Sequence, residues 1–187
     1  MFQKMINPDI LFGRLGNRMF QGAYLYTQMK EGKIPDIYVQ DIKYFEKYQN
    51  EIKKWFGDGI GYIPYTSVHI RRGDYVDNPF YVDLSKTGYY IDAINKFPND
   101  KFLVFSDDID FAKFYFEGDK FAFDDSSNEI EAFNKMASCQ NNIIANSSFS
   151  WWAAFCNPQE NQKVVYPSLW FSDKIERVGF PKAWIKI

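Results

Sequence analysis

Two arginines stand at the end of an apolar segment, where a ligand-binding loop is expected. The stretch SVHIRRGDYV, residues 67–76, runs from apolar residues straight into Arg71, Arg72, Gly73 and Asp74. Guanidinium groups are permanent cations whose planar donors match phosphate oxygens two at a time. Because side chains alternate along a strand, one arginine is expected to face an anion while the other anchors Asp74 or another carboxylate. A surface ion-pair cluster is the alternative interpretation.

A glycine-rich segment near the start of the chain is a second candidate anion site. GRLGN, residues 13–17, precedes a predicted helix from Arg18 to Lys30. Backbone N–H groups at a helix N-terminus bind phosphate, and Gly16 and Asn17 would lie beside them. The segment has neither the spacing of the dinucleotide fingerprint nor the lysine of a P-loop.

Two more polar segments follow apolar runs. NSSFSWW, residues 146–152, offers the amide of Asn146 and three hydroxyls at the start of a predicted helix, those of Ser147, Ser148 and Ser150. FSDD, residues 105–108, offers Ser106 and Asp107. Both segments are predicted to bind a ligand, and helix capping is the alternative for the serines and for at least one of the aspartates, Asp107 or Asp108.

The residues that bind metals in proteins are sparse in this sequence. His69 is the single histidine, and no Cys/His cluster indicates zinc. Asp107 and Asp108 could bind Mg²⁺, but no partner motif supports such a site, so no metal is expected. The two cysteines, Cys139 and Cys156, lie in apolar segments that predict buried, reduced thiols and a cytoplasmic protein.

The spacing of the apolar runs predicts the elements that position these loops. Runs at residues 9–12, 67–70, 101–105 and 141–145 each end in a polar loop that leads into a helix-like segment. That alternation is typical of an α/β fold with Rossmann-like parallel sheets. Ligands bind such sheets at the carboxyl ends of the strands, so the four loops are expected to converge on one site.

The predicted helices complete this organisation. Helical apolar spacing covers residues 88–97, 108–116 and 128–139, with Asn128 or Ser127 as the N-cap of the last. The apolar pattern of residues 41–56 predicts one amphipathic helix, and the glycine-rich stretch after it predicts a domain boundary. The prediction is a reduced N-terminal domain, residues 1–64, and a ligand-binding domain, residues 65–187.

Charge and hydropathy exclude several classes of protein. Lys and Arg total 22 against 24 Asp and Glu, so a net charge of −2 gives no general attraction to nucleic acid or to an anionic membrane. No stretch approaches the roughly 20 apolar residues of a membrane span, and the first ten residues lack the apolar run of a signal peptide. A soluble protein is expected. Aromatic residues make up 20% of the chain, which is compatible with sugar stacking, although an aromatic core is the simpler explanation.

Several segments together resemble one enzyme family. HIRRGDY resembles the HxRRGDY motif of the α-1,2-fucosyltransferases, and FSDD and CQNNIIANSSFSWW resemble their second and third motifs. GRLGNRMFQGAYL is similar to their opening loop and helix, and VVYPSLWF and PKAWIKI are similar to the closing segments of bacterial members. The resemblance covers residues 10–30 and 65–187, with the motifs in order and at family spacing.

The resemblance implies a GT-B-type, inverting glycosyltransferase that uses GDP-fucose and needs neither metal nor cofactor. Its partners would be GDP-fucose and a glycan acceptor, with the donor bound by the C-terminal half. Matched to the family motifs, Arg71 or Arg72 would hold the diphosphate, and His69 would lie at the nucleotide. The serines of NSSFSWW would meet the nucleotide too, and Asn17 would approach the donor as in the related GRxGNQ loop of protein O-fucosyltransferases. Asp74 is either a catalytic base or a residue that orients an arginine.

Two departures from the family pattern affect these expectations. Family members commonly carry an aspartate seven residues before the cysteine of the third motif, where it is expected to read guanine, and this chain has Ala132 there, next to Glu131. The segment before residue 65 is also short and offers only two predicted strands, residues 9–12 and 35–39. Six of its apolar side chains are expected either to pack on the C-terminal half or to remain an exposed patch: Phe2, Met5, Tyr38, Phe45, Trp55 and Phe56. The short segment predicts a low, open acceptor wall that a second copy of the chain would complete; a compact monomer is the alternative. A transferase for another nucleotide sugar and a non-catalytic nucleotide- or sugar-binding protein remain open as alternative functions.

Overall fold

A six-stranded parallel β-sheet forms the centre of the molecule. The computed structural model describes residues 11, 13–31, 40–57 and 59–187. The strands are β1 (Ile63–Ile70), β2 (Phe102–Ser106), β3 (Phe121–Phe123), β4 (Cys139–Ile143), β5 (Val164–Tyr166) and β6 (Ile185–Lys186). Their order across the sheet is β3-β2-β1-β4-β5-β6, and every neighbouring pair is parallel. The predicted Rossmann-like α/β fold is confirmed.

Helices cover both faces of the sheet. They are α1 (Leu15–Lys30), α2 (Gln49–Phe56), α3 (Tyr89–Ile94), α4 (Ile109–Tyr115), α5 (Glu129–Ser138) and α6 (Ser148–Cys156). Val68 and Ile70 of β1 share one buried cluster with apolar residues of α3 and α4. The intervening His69 lies on the opposite face, with its ring 5.7 Å from that of Phe149 in α6. The alternation of side chains along β1 therefore separates two cores.

An aromatic cluster around α6 joins the residues before β1 to the sheet. Trp151 and Trp152 are fully buried. The Phe20 ring of α1 lies 4.6 Å from the Trp151 ring, and the Phe45 ring stacks on Trp152 at 5.4 Å. Trp55 also packs against this cluster. The described part of the predicted N-terminal domain thus contributes to the core on one face of the sheet.

Residues 41–56 do not form the single amphipathic helix that their pattern predicts. Two 3-10 turns, Ile42–Tyr44 and Glu46–Tyr48, precede α2. The side chain of Asp41 caps the first turn by accepting a hydrogen bond from Lys43 N at 3.0 Å. Phe45 then leaves helical geometry, with φ −139° and ψ 8°, and its side chain is completely buried. Burial of this ring outweighs the local helical preference.

Some predictions concern residues outside the described ranges. The strands predicted at residues 9–12 and 35–39 lie there, apart from Leu11, as do Phe2, Met5 and Tyr38. The division into domains 1–64 and 65–187 therefore stays a prediction. In the described part of the chain, no helix has the length and apolar character that crossing a membrane requires. Cys139 and Cys156 are buried free thiols, as predicted, and burial raises the pKa of Cys139 to about 12.

Candidate functional site

A cavity of about 660 Å³ opens at the carboxyl edge of the sheet. From β1 the chain builds β2 and β3 on one side, then returns to build β4, β5 and β6 on the other. The loops after β1 and β4 therefore diverge at a topological switch point, the usual ligand position in open α/β sheets. Nine predicted site residues line the cavity: Gly16, Asn17, His69, Arg71, Asp74, Ser106, Asp107, Ser147 and Ser148.

Arg71 is held in the cavity wall by two carboxylates. Its Nη1 lies 2.6 Å from Asp107 Oδ2, and its Nη2 donates to Asp74 Oδ1. Asp107 Oδ1 also accepts from the backbone N–H of Arg72 at 2.8 Å. A side chain at Gly73 would collide with the Asp107 carboxylate, so this arrangement requires glycine there. Only 11% of the Arg71 side chain is exposed, and the guanidinium has five N–H donors, so some remain for a ligand.

Arg72 points away from the cavity. Its Nη1 lies 3.3 Å from Asp83 Oδ2, and its guanidinium carbon lies 3.7 Å from the centre of the Phe111 ring on α4. Burial opposes ionisation of Asp83, but hydrogen bonds from Ser85 and Lys86 and the charge of Arg72 lower its pKa overall. The two adjacent arginines therefore diverge, as the strand alternation predicts, and Arg71 is the one that a ligand in the cavity would meet.

The starts of α1 and α6 meet at the floor of the cavity. Asn17 Oδ1 accepts hydrogen bonds from Ser148 Oγ at 2.9 Å and from Gln40 Nε2 at 2.6 Å. A Cβ atom on Gly16 would lie 2.6 Å from Phe149 N, so glycine is what allows this approach. The predicted helix start at Arg18 was wrong, because α1 begins at Leu15 and places Gly16 and Asn17 in its first turn.

The N-terminus of α6 is available to an anion. Ser147 occupies the N-cap position, and no side chain caps the first turn. Ser147, Ser148 and Phe149 all line the cavity. Uncapped N–H groups at a helix start carry the positive end of the helix dipole, so they favour a phosphate group at this position.

His69 places an unsatisfied nitrogen in the cavity wall. The residue is 5% exposed, and its Nδ1 has no hydrogen-bond partner in the part of the chain that the structure describes. Burial, and secondarily the charge of Arg71, lower the pKa of His69 to about 3. The imidazole is therefore neutral at physiological pH and can accept or donate one hydrogen bond at the open nitrogen.

Four further predicted residues have structural partners. Asn146 Nδ2 donates to the carbonyls of Val82 and Trp170, both at 3.0 Å, and Ser150 Oγ donates to Ser147 O at 3.2 Å. Asp108 caps α4 by accepting from Phe111 N at 3.1 Å, so the capping alternative is confirmed for this aspartate. Asn146 and Ser150 are buried and Arg72 is partly buried, and none of the three is in the lining of the cavity.

Sequence reasoning missed several residues of the cavity wall. Arg14 lies in the glycine-rich segment, and its side chain has no ion pair among the described residues. Gln40, Asp124 and Arg177 also line the cavity. Arg177 is paired with Asp173 through two hydrogen bonds, at 3.0 and 2.6 Å. Arg14 could have been found from the motif it belongs to, whereas the other three have no local signal. Within the described ranges, no three His, Cys, Asp or Glu side chains group as metal ligands.

Comparison with known proteins agrees with the motifs that converge on the cavity. The model of glycosyl transferase family 11 matches residues 15–187. The chain belongs to glycosyl transferase family 11. The predicted resemblance to the α-1,2-fucosyltransferase family is thereby confirmed at the level of the family.

Two curated relatives come from Escherichia coli. The O-antigen biosynthesis glycosyltransferase WbnK is 35% identical over 133 residues, which cover 65% of this chain and 44% of the relative. An α-1,2-colitosyltransferase is 33% identical over 176 residues, which cover 79% of this chain and 60% of the relative. The chain thus spans about half the length of these two relatives. No solved structure matches it.

Proposed function

We propose that this family 11 chain is a glycosyltransferase that moves fucose from GDP-fucose to a hydroxyl of a glycan acceptor. The observation that carries the proposal is the cavity at the switch point, where Arg71 and the uncapped start of α6 face the same space. Both features suit a diphosphate. A volume of about 660 Å³ lies in the range of small-molecule sites.

The electrostatics of the site suit a nucleotide diphosphate as leaving group. Breaking the bond between the anomeric carbon and the phosphate oxygen leaves negative charge on the diphosphate, which fixed donors stabilise. Asp74 and Asp107 offset much of the charge of Arg71. Attraction for the diphosphate therefore also depends on Arg14 and on the α6 N–H groups. We propose that these groups replace a metal ion, because Asp107 and Asp108 are engaged by Arg71 and by the cap of α4.

Inversion requires the acceptor oxygen to attack the face opposite the diphosphate. The new bond forms between that oxygen and the anomeric carbon as the carbon–phosphate oxygen bond breaks, and the hydroxyl proton passes to a base or to solvent. Asp74 lines the cavity but is bound to Arg71. We therefore assign Asp74 the role of orienting Arg71, the alternative being a catalytic base.

A second candidate differs in the transferred sugar. The relatedness to an α-1,2-colitosyltransferase over 79% of this chain favours colitose as that sugar. The phosphate-binding groups described above would serve either donor, because they contact the leaving group rather than the sugar. Turnover with the fucose donor and the colitose donor, measured side by side, distinguishes the two candidates.

The test of the proposed function has two stages. A thermal-shift panel of GDP, UDP, ADP and GDP-fucose measures which nucleotide binds the folded state, since a ligand that binds only this state raises Tm. Nucleotide release is then measured with glycan acceptors that carry free hydroxyls. We expect GDP and GDP-fucose to raise Tm and an acceptor to accelerate GDP release. Binding without turnover on any acceptor would support a non-catalytic binding protein, and no shift with any nucleotide would refute the proposal.

A further inference from the structure

An acidic side chain lies at the end of the cavity nearest the sheet edge. Asp124 directly follows β3, and its backbone N–H donates to Val104 O of β2 at 2.8 Å. β3 lies two strands from β1, whose end carries Arg71. With strands about 4.8 Å apart, this places Asp124 on the order of 10 Å across the sheet from the phosphate-binding arginine. A nucleoside diphosphate with its phosphates at Arg71 can extend its base toward Asp124.

The Asp124 carboxylate has one oxygen engaged and one open. Oδ1 accepts from Ser126 Oγ at 2.7 Å and lies 3.6 Å from Lys135 Nζ. Oδ2 accepts no hydrogen bond from the residues that the structure describes. The side chain is only 11% exposed and lines the cavity. It is therefore a fixed, largely desolvated acceptor with a free edge.

The other nearby acids are less suited to read a ligand. Glu131 accepts from Ser127 N and Oγ at 2.9 Å each and pairs with Lys135, so it closes the capping interaction of α5 and does not line the cavity. Glu129 lines the cavity but is 52% exposed. Ala132 stands where family members commonly carry an aspartate expected to read guanine. It contributes only a methyl group to the cavity wall, so it cannot select the nucleotide base.

The wall around Asp124 suits a flat ring. Phe105, Ala132 and Phe149 line the same cavity and present apolar surface. Small-molecule sites commonly combine such walls with a few fixed polar groups that decide specificity. The cavity therefore combines apolar lining with the carboxylate acceptor of Asp124.

We propose that Asp124 is the residue that selects guanine as the base of the nucleotide. This inference rests on the proposed function. A carboxylate only accepts hydrogen bonds, and guanine presents two adjacent donors, N1–H and the 2-amino group, that can meet it. Adenine places an acceptor nitrogen beside its amino group, so one position would be repulsive. A site whose buried acceptor is left unpaired rejects the ligand that lacks the donor.

The experiment compares nucleotide discrimination in three proteins. Calorimetric titration with GDP, inosine diphosphate, which lacks the 2-amino group, and ADP is run on the wild type, Asp124→Asn and Asp125→Asn. Asp125 is the matched control, because it also pairs with Lys135 Nζ, at 2.8 Å, but is 92% exposed and outside the cavity lining. We expect the wild type and Asp125→Asn to bind GDP about tenfold or more tightly than inosine diphosphate, and Asp124→Asn to bring that ratio close to one.

The outcomes separate this inference from the proposed function. Absence of binding by any nucleotide to the wild type would overturn both. GDP binding with the same GDP-to-inosine diphosphate ratio in wild type and Asp124→Asn would overturn the role of Asp124 alone. If Asp124→Asn does not fold, Ser126→Ala removes the hydroxyl that holds Oδ1. That variant should lower the ratio severalfold, and an unchanged ratio would refute the inference.

Discussion

Arg71 and Arg72 are neighbours in sequence with different expected consequences on substitution. We expect Arg71→Ala to lower kcat/KM, because it removes charge-assisted donors to the diphosphate. The loss of transition-state stabilisation should be on the order of 2–4 kcal/mol. Arg72→Ala should mainly lower the free energy of unfolding, by about 1–3 kcal/mol, because it leaves Asp83 without its guanidinium partner and uncovers Phe111. Steady-state kinetics with saturating GDP-fucose and urea denaturation of both variants check this division. Normal turnover by both variants would contradict it.

The buried His69 predicts a specific pH dependence of stability. Its folded pKa of about 3 lies below the value near 6.5 of an unfolded histidine. The unfolded state therefore binds more protons between these values, and stability falls as the pH drops below about 6.5. His69 should contribute a loss on the order of 3 kcal/mol between pH 7 and pH 4. Urea denaturation at both pH values, compared with His69→Gln, tests this; equal pH dependence in the two proteins would count against it.

At the scale of elements, the contact between α1 and α6 depends on one glycine. We expect Gly16→Ala to lower the free energy of unfolding by about 1–3 kcal/mol, because the new methyl group would overlap the backbone of Ser148 and Phe149. Displacement of α6 should also weaken GDP binding. Gly61→Ala is the control, since a Cβ there meets only Ser138 Oγ, at 3.9 Å. Equal stability and GDP affinity in the two variants would show that the helices adjust without loss.

The elements that surround the cavity also predict that activity does not require a metal ion. Because Arg71, Arg14 and the start of α6 are proposed to stabilise the leaving group, activity should persist in EDTA. The measurement is GDP release from GDP-fucose with and without chelator, followed by addition of Mg²⁺ or Mn²⁺. Complete loss in EDTA that either cation restores would assign the chain a metal-dependent mechanism.

At the scale of the whole molecule, donor and acceptor binding should respond differently to dilution. The cavity proposed to bind the donor is lined by residues of one chain, so GDP affinity should not depend on protein concentration. Phe45, Trp55 and Phe56, predicted either to pack on the larger domain or to stay exposed, pack against the cluster around α6. Acceptor affinity, in contrast to GDP affinity, should depend on protein concentration, because the predicted homodimer would complete the acceptor wall. Light scattering over a dilution series measures the dissociation of the dimer, and acceptor saturation is measured at the same protein concentrations. We expect acceptor binding to weaken as the dimers dissociate. A strict monomer with micromolar acceptor affinity would refute the dimer.

The sequence by itself determined the features that depend on neighbouring residues. Apolar runs at residues 67–70, 101–105 and 141–145 predicted β1, β2 and β4, because a buried parallel strand needs a short continuous apolar segment. Asn128 or Ser127 was predicted as the N-cap of α5, and Asn128 is the one, because its Oδ1 accepts from Ile130 N and Glu131 N. Capping acts over three residues, so the local pattern was sufficient. Nine of the site residues that were predicted from the sequence line one cavity.

Only the tertiary structure decided which side chains share that cavity and which support it from behind. Strand order brings Asp124 into the wall occupied by Arg71, although 52 residues separate them in the sequence. Burial of Phe45 against Trp152 interrupts a segment with a clear helical pattern. Arg72 finds its partners in Asp83 and Phe111, which no local spacing connects. In each case the deciding contacts join distant parts of the chain, and their free energy exceeds the local preference that sequence patterns report.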